Sequence, residues 1–378
     1  MINSGISELG LIKHGAAMGN GDSTTAFYSA RPRIFIDGQE QPGLADGLLT
    51  LLAEEDTKGL FRCEATFGNW GPTNGEPGYL YFDRTIFDFG RTLVIRAGHQ
   101  DSEGEIFRGR IMALEGNYPD LRPPEITILA EDRFQDLRMT RRTRTFSEMS
   151  DNDIINQIAS QQNLRTEIDL DGPTYPVLAQ VNQSDLAFLR DRARAADFEL
   201  WVEGDVLHAQ DHARRNAGDV TLVYGERLQE FSALADLADQ CTSLAVSGWD
   251  VDSKEEIVEE TRESAISPEL NGDQSGVSLL QQAYGSRVER IVHLAPCNVQ
   301  EARALSKSHY CSRARRFVTA RGVCEGDARI RTGVHLDVQG VGQMFNGLYY
   351  VTSLQHIFSE ELGYQTRFSL ERPGMGQH

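Results

Sequence analysis

Gly90-Arg91-Thr92-Leu93-Val94-Ile95, in the first half of the chain, has a counterpart in the second half, Gly333-Val334-His335-Leu336-Asp337-Val338. Each is followed by an F-x-G triplet, Phe107-Arg108-Gly109 or Phe345-Asn346-Gly347, at 17 residues from the glycine in one half and 12 in the other. A long strand pattern follows each triplet, Arg110-Ile111-Met112-Ala113-Leu114 and Leu348-Tyr349-Tyr350-Val351-Thr352. An alternating strand then ends at Glu131-Asp132 or at Glu371-Arg372. Alternation of apolar and polar residues marks a half-buried strand. One β-rich unit is therefore predicted to occur twice, with only a loop differing in length.

Around the first copy, residues 33–38, 61–67, 92–96, 106–114 and 126–130 read as short strands, with a Gly/Pro-rich loop between Gly71 and Gly78. Such spacing predicts a barrel or sandwich over 31–140. The period changes after Thr145. Ser150 with Asp153 caps a helix carrying Ile154, Ile155, Ile158 and Ala159, and Ser184 opens a second helix carrying Leu186, Leu189 and Ala193. With a hairpin turning at Gly204, these predict an α/β insertion domain over 141–219. Strands at 221–224 and 243–251 resume the β pattern, so the second unit is placed at 220–251 and 286–374. It includes a helix at about 298–316, opened by Asn298 and Glu301 and closed by Arg313, Arg315 and Arg316, where the helix dipole favours cations. Residues 252–285, with Glu255, Glu256, Glu259, Glu260 and Glu263, read as an acidic excursion, exposed and partly helical or mobile. The Gly-rich residues 1–30 read as a flexible N-terminal arm that orders on assembly.

At 378 residues, 40% hydrophobic and 25% charged, the chain has room for two or three globular domains. A net charge of −19 argues against wrapping the outside of DNA, which requires clustered Lys and Arg. No apolar run reaches the roughly 20 residues of a membrane span; the nearest, 44–53, carries Asp46. Residues 1–30 lack the charged-then-apolar pattern of a secretion signal, which predicts synthesis and assembly in the host cytoplasm. Cys63, Cys241, Cys297, Cys311 and Cys324 are odd in number and widely spaced, a pattern of buried small hydrophobes rather than of disulfides or zinc ligands.

Chemical motifs are weak. His208 and His212 would share a face only on a helix, whereas His208 is placed on a hairpin strand, so the pair reads as surface polar residues and not as metal ligands. Cys311 follows His309 by two positions on a helix, and such residues point apart. Gly340-Val341-Gly342 has neither the spacing nor the Lys-Ser/Thr of a phosphate loop, and no G-x-S-x-G is present. Trp70, Trp201 and Trp249 read as core or interface anchors. No catalytic, cofactor-binding or metal residue is assigned, and the chain reads as a non-enzyme.

Four stretches carry a family resemblance. They are 87–95 with Ile106-Phe107-Arg108-Gly109; 144–159; 181–189 with Phe198-Glu199-Leu200-Trp201-Val202; and 347–356 with Gly363-Tyr364-Gln365-Thr366-Arg367-Phe368. In that order they resemble the phage late control protein D family, baseplate hub proteins of contractile tails. More distantly, they are similar to the hub half of the valine-glycine-repeat spike proteins of type VI secretion. The resemblance implies a mainly β chain with an α+β insertion, whose two barrels are like the tail-tube subunit. It further implies a homotrimer whose six barrels form a pseudo-six-fold ring between the hexameric tail tube and a trimeric spike, alongside other baseplate proteins in the virion. The spike needle is then a separate protein. Three copies would carry three times −19, or −57. That leads to the expectation that acidic residues line a lumen through which DNA slides unbound; a neutral or basic wall would leave solubility as their role. The alternative readings are an effector-delivery adaptor of a contractile injection or type VI-like system and, behind it, a tail-associated cell-wall hydrolase.

Overall fold

The computed structural model describes residues 31–376 apart from 74, 99–102 and 251–252; the expected arm at 1–30 lies outside the described residues. The first β-rich part runs through β1 (Arg33–Ile36), β2 (Gln39–Glu40), α1 (Pro42–Gly47), β3 (Leu48–Asp56), β4 (Arg62–Gly68), β5 (Trp70–Thr73), β6 (Glu76–Tyr79), β7 (Thr92–Ala97), β8 (Gly104–Asn117) and β9 (Glu125–Glu131). In β3, Leu48, Leu51 and Ala53 turn inward on Phe67, Ile95, Ile111 and Ile128. The Gly71–Gly78 segment, expected as a loop, is the β5–β6 hairpin, pairing Trp70 with Tyr79. Its Gly and Pro residues concealed the strand pattern.

After the short α2 (Phe134–Arg138) come β10 (Arg141–Ser150), α3 (Asp151–Ser160), β11 (Arg165–Asp169), β12 (Thr174–Ser184), α4 (Asp185–Ala196), β13 (Phe198–Glu203) and β14 (Val206–Asp211). Both expected helix starts are present. Ser150 and Asp153 form the reciprocal capping box of α3, and the Ser184 side chain accepts from Ala187 N at the start of α4. Ile154, Ile155, Ile158, Leu186 and Leu189 enclose a core of their own with Phe198 and Leu207.

The chain then enters β15 (Asp219–Val223) and β16 (Leu228–Ala235), leaves through β17 (Ser243–Asp250), β18 (Glu255–Arg262), β19 (Gln274–Ser275), α5 (Gly276–Tyr284), β20 (Val288–Ile291) and α6 (Val299–Arg315), and returns in β21 (Val318–Glu325), β22 (His335–Gln339), β23 (Gly347–Ser359), β24 (Gly363–Arg372) and β25 (Gly374–Met375). Here the structure departs from the expectation. The acidic excursion is folded: β18 pairs antiparallel with β17 and β20 pairs parallel with it, in a three-stranded sheet separate from the main one. That sheet, α5 and α6 share a core of Leu244, Val246, Ile266, Val277 and Tyr310. Residues 243–251 and the helix at 298–316 thus pack here rather than in the second β-rich part. The charge density of β18 masked its alternation: Glu255, Glu256 and Glu260 are exposed, while Ile257 is buried and Glu259, on the same face, pairs with Arg303 of α6.

The duplication is visible in the topology. The first part has the order β3-β4-β9-β8-β7-β1 and the second β16-β21-β24-β23-β22-β15, each strand matching its counterpart in chain order. The outermost pair differs, since β1 is antiparallel to β7 whereas β15 is parallel to β22. Gly90 N donates to Ile111 O and Ile111 N to Arg91 O; Gly333 N donates to Val351 O and Val351 N to Val334 O. A β-bulge follows in the same place, between Ile111 and Ala113 opposite Ala130 and between Val351 and Ser353 opposite Leu370. Leu93 pairs with Gly109 and Leu336 with Tyr349. The two F-x-G triplets are therefore not equivalent: Phe107-Arg108-Gly109 lies within β8, whereas Phe345-Asn346-Gly347 turns into β23, two residues out of register. The Gly-x-x-Leu match is the true one.

Two tail-tube-like barrels in one chain were expected. The strand pairings join the two halves into one 13-stranded sheet, because β23 pairs antiparallel with β3 from Ser353 opposite Asp56 to Ser359 opposite Thr50. Gly90 and Gly333 sit at φ +78° and +84°, where a side chain is strained by about 1–2 kcal/mol. A methyl group on Gly90 meets nothing within 4 Å, but one on Gly333 lands 2.5 Å from Arg215 Nε. Gly333→Ala is therefore expected to lower stability by roughly 1 kcal/mol more than Gly90→Ala; equal urea midpoints for the two variants would show that Arg215 moves aside freely.

Candidate assembly surfaces

Where β3 meets β23, the sheet curves over a groove of about 950 Å³ whose walls also include β4, β16, β21 and β24. It carries five carboxylates (Glu54, Glu55, Asp56, Glu131, Glu230) and five guanidinium groups (Arg62, Arg138, Arg190, Arg321, Arg367). Several are matched directly: Glu54 pairs with Arg62, Glu131 with Arg138, and Gln355 Nε2 donates to Glu54 Oε1 across the seam at 2.5 Å. The carboxylates of this face are balanced in number by its guanidinium groups.

Behind the seam, a buried polar chain ties the two halves to the insertion. Glu55, 4% exposed, pairs with Arg331 and accepts from Thr332 N at 3.3 Å. Burial pushes the Glu55 carboxyl up, and the Arg331 charge opposes that. Thr332 O accepts from Arg215 Nη2 at 3.0 Å, and Arg215 also pairs with Glu199 while its guanidinium lies 4.0 Å over the Trp201 ring. Glu199 further accepts from His212 Nδ1 and from Tyr350 OH, each at 2.7 Å. Burial alone would raise the Glu199 carboxyl. His212, Arg215 and Tyr350 together outweigh it and hold the group at about 2, so it stays charged. The arrangement is a brace with every charge partnered.

The weak motifs fall apart in three dimensions. His208, on β14, stacks on Trp201 with ring centroids 5.0 Å apart, while His212 lies in the turn beyond β14 against Glu199. Among the described residues no group of three or more His, Cys, Asp or Glu is placed to hold a metal ion. Cys311 is buried in the core beneath β17, and that burial pushes its thiol up to about 12. Trp201 is half-buried, but Trp70 and Trp249 are exposed and not in a core. Among the described residues no helix is long and apolar enough to cross a membrane.

Sequence reasoning missed an exposed aromatic group beside β8. Tyr79 lies 5.4 Å from Trp70 and 5.1 Å from Phe82, and Phe82 lies 5.9 Å from Tyr118 (ring centroids), with Tyr118 65% exposed. Trp70 and Tyr79 flanking a Gly/Pro stretch was the available signal. Fixed aromatic side chains left in water mark contact surfaces.

The family model described as the Alg8 N-terminal domain matches residues 79–360. No curated protein matches the chain. Among solved structures, the 43 kDa tail protein of prophage MuSo2 from Shewanella oneidensis superposes with a TM-score of 0.66 at 12% identity, over 91% of this chain and 99% of that one. A tail protein from Neisseria meningitidis MC58 gives 0.65 at 12%, over 92% and 98%. An Escherichia coli component of the type VI secretion system, described as structurally similar to T4 bacteriophage tail proteins, gives 0.56 at 10%, over 91% and 79%. At these identities the likeness is one of fold. The chain has the mainly β architecture of phage tail proteins and type VI secretion components over nearly its full length.

Proposed function

The chain belongs to the family described as the Alg8 N-terminal domain; from its tail-protein fold we propose that it is a structural baseplate hub of a phage-like contractile tail. The family description names a domain and not a reaction. The hub reading rests on one observation, the six-strand order that occurs twice and is joined into a single sheet. A three-fold object matches a six-fold one only by carrying the repeated unit twice, so a trimer of this chain presents six such units to a hexameric tube and three-fold symmetry to a spike. In this reading the protein resembles the late control protein D family, resides in the virion baseplate and acts without turnover. The fold shared with the type VI secretion component supports a second reading, an adaptor in a contractile injection system.

The test is mass in solution. A trimer is expected at about 126 kDa, three times 42.1 kDa, either alone or on adding the trimeric spike protein. A species that stays monomeric with both tube and spike proteins present would remove the hub reading.

A further inference from the structure

The groove over the seam has two unlike sides. On the β3, β4 and β9 side its carboxylates are taken up by nearby arginines, Glu54 by Arg62 and Glu131 by Arg138. On the other side the strand register sets Ser232 of β16, Arg321 of β21, Ser369 of β24 and Ser353 of β23 next to one another in a single row. Arg367, two residues along β24 from Ser369, faces the same groove. Arg321 and Arg367 are therefore diagonal neighbours on adjacent strands, ~7–8 Å apart and within reach of one ligand. Both are exposed, and among the described residues neither guanidinium group nor any of the three hydroxyls has a hydrogen-bond or ion-pair partner.

The fold does not require this donor set, and the repeat supplies the control. Shared bulges, after Leu48 and Leu228 on β3 and β16 and after Ile111 and Val351 on β8 and β23, fix which residues correspond. In the first half the same row reads Leu52, Glu64, Leu129 and Ala113. The same backbone is built there with no arginine and no hydroxyl, and with a carboxylate in the place of Arg321. Guanidinium forks match the oxygens of a phosphate two at a time, and hydroxyls can donate to those left over. We propose that Arg321 and Arg367, with Ser232, Ser353 and Ser369, form a binding site for a phosphate group, either free or carried on a nucleic-acid strand. The groove, at about 950 Å³, has room for the larger molecule. Glu230, opposite Val323 and so diagonal to Arg321, opposes an anion there, as does the net charge of −19. The contact is therefore short-range, weak and sensitive to salt. The inference rests on the groove and the repeat, and stands or falls apart from the hub reading.

The site is tested on the full chain at low salt with two probes, inorganic phosphate followed by calorimetry and a short fluorescein-labelled oligothymidylate followed by anisotropy. Arg321→Gln with Arg367→Gln is expected to weaken binding at least about ten-fold, the scale of one lost charge-assisted hydrogen bond. Both side chains are exposed and unpaired, so the variant keeps its fold. Arg287→Gln with Arg290→Gln removes the same charge from the separate sheet of β17, β18 and β20, and is expected to change binding by less than about two-fold. Glu230→Gln removes the opposing carboxylate and is expected to tighten binding about two- to three-fold. Oligothymidylate that phosphate competes away identifies a strand phosphate as the ligand, and phosphate binding without oligothymidylate binding identifies the free ion; either result upholds the site. Binding of neither probe, or equal losses in the two double variants, would overturn it.

Discussion

Arg315→Ala is expected to destabilise the protein by about 3–5 kcal/mol. The Arg315 side chain is only 4% exposed, at the C-terminal end of α6. Its Nη1 and Nη2 donate to Asp197 at 2.6 and 2.8 Å, and its Nε and Nη2 donate to Glu269 at 2.7 and 2.8 Å. Burial works against its charge, but the two carboxylates hold the guanidinium well above its ordinary value. Truncation leaves both carboxylates without their cation, and breaking a buried pair from one side costs several kcal/mol. Lysine keeps the charge but cannot present a planar fork to two carboxylates, so Arg315→Lys is expected to recover about half the loss. Asp197 ends α4 and Glu269 lies in the acidic segment, so local exchange of amide hydrogens in both regions should rise together. A urea midpoint for Arg315→Ala within about 1 kcal/mol of the parent would show that the carboxylates are solvated without it.

Acid should open the seam through His356. The residue is fully buried on β23, paired in register with Ala53 of β3 and Thr366 of β24. Its Nδ1 lies 3.1 Å from the Thr366 hydroxyl and 2.9 Å from the Tyr364 hydroxyl. Burial, reinforced by the Arg331 charge, lowers it from 6.5 to about 3. A base depressed in the folded state contributes stability that is fully present above its unfolded value and is lost as pH falls toward the folded value. The window is therefore pH 6.5 to 3, and the whole shift corresponds to about 5 kcal/mol, of which about 2 kcal/mol is gone at pH 5. Asp132 runs the other way. Burial lifts its carboxyl to about 7 against two backbone N–H donors, so it adds stability below that value and loses it as pH rises from about 4 to 7. Comparing the parent with His356→Gln at pH 8 and pH 5 cancels the Asp132 contribution. The parent should lose about 2 kcal/mol more than the variant; parallel losses would show that the ring is protonated in place.

Helix starts were legible because a cap is a local matter: a hydroxyl or amide three residues before a free N–H satisfies it wherever the helix then docks. Ser150, Ser184 and Asn298 each accept the expected bond. Glu301 departs from the expected box, since its carboxylate accepts from Cys297 N instead of Asn298 N. The arginines at the end of α6 were read as partners of the helix dipole. The structure makes Arg313 and Arg315 specific ion-pair partners of Glu289, Asp197 and Glu269, residues distant in sequence.

The repeat shows the division most clearly. Gly90 and Gly333 could be matched from the residues alone, because a left-handed turn before an inward leucine leaves a signature in adjacent positions. The F-x-G triplets could not be told apart in the same way, since alternation has a period of two and a two-residue slip preserves it; only the shared bulge set the register. The joining of the halves left no local mark at all. Whether an edge strand is capped, exposed or paired depends on which other strand reaches it, and Ser353 meets Asp56 across nearly 300 positions of chain. Residue order thus determined that a β unit recurs, while packing determined that its two copies share one sheet.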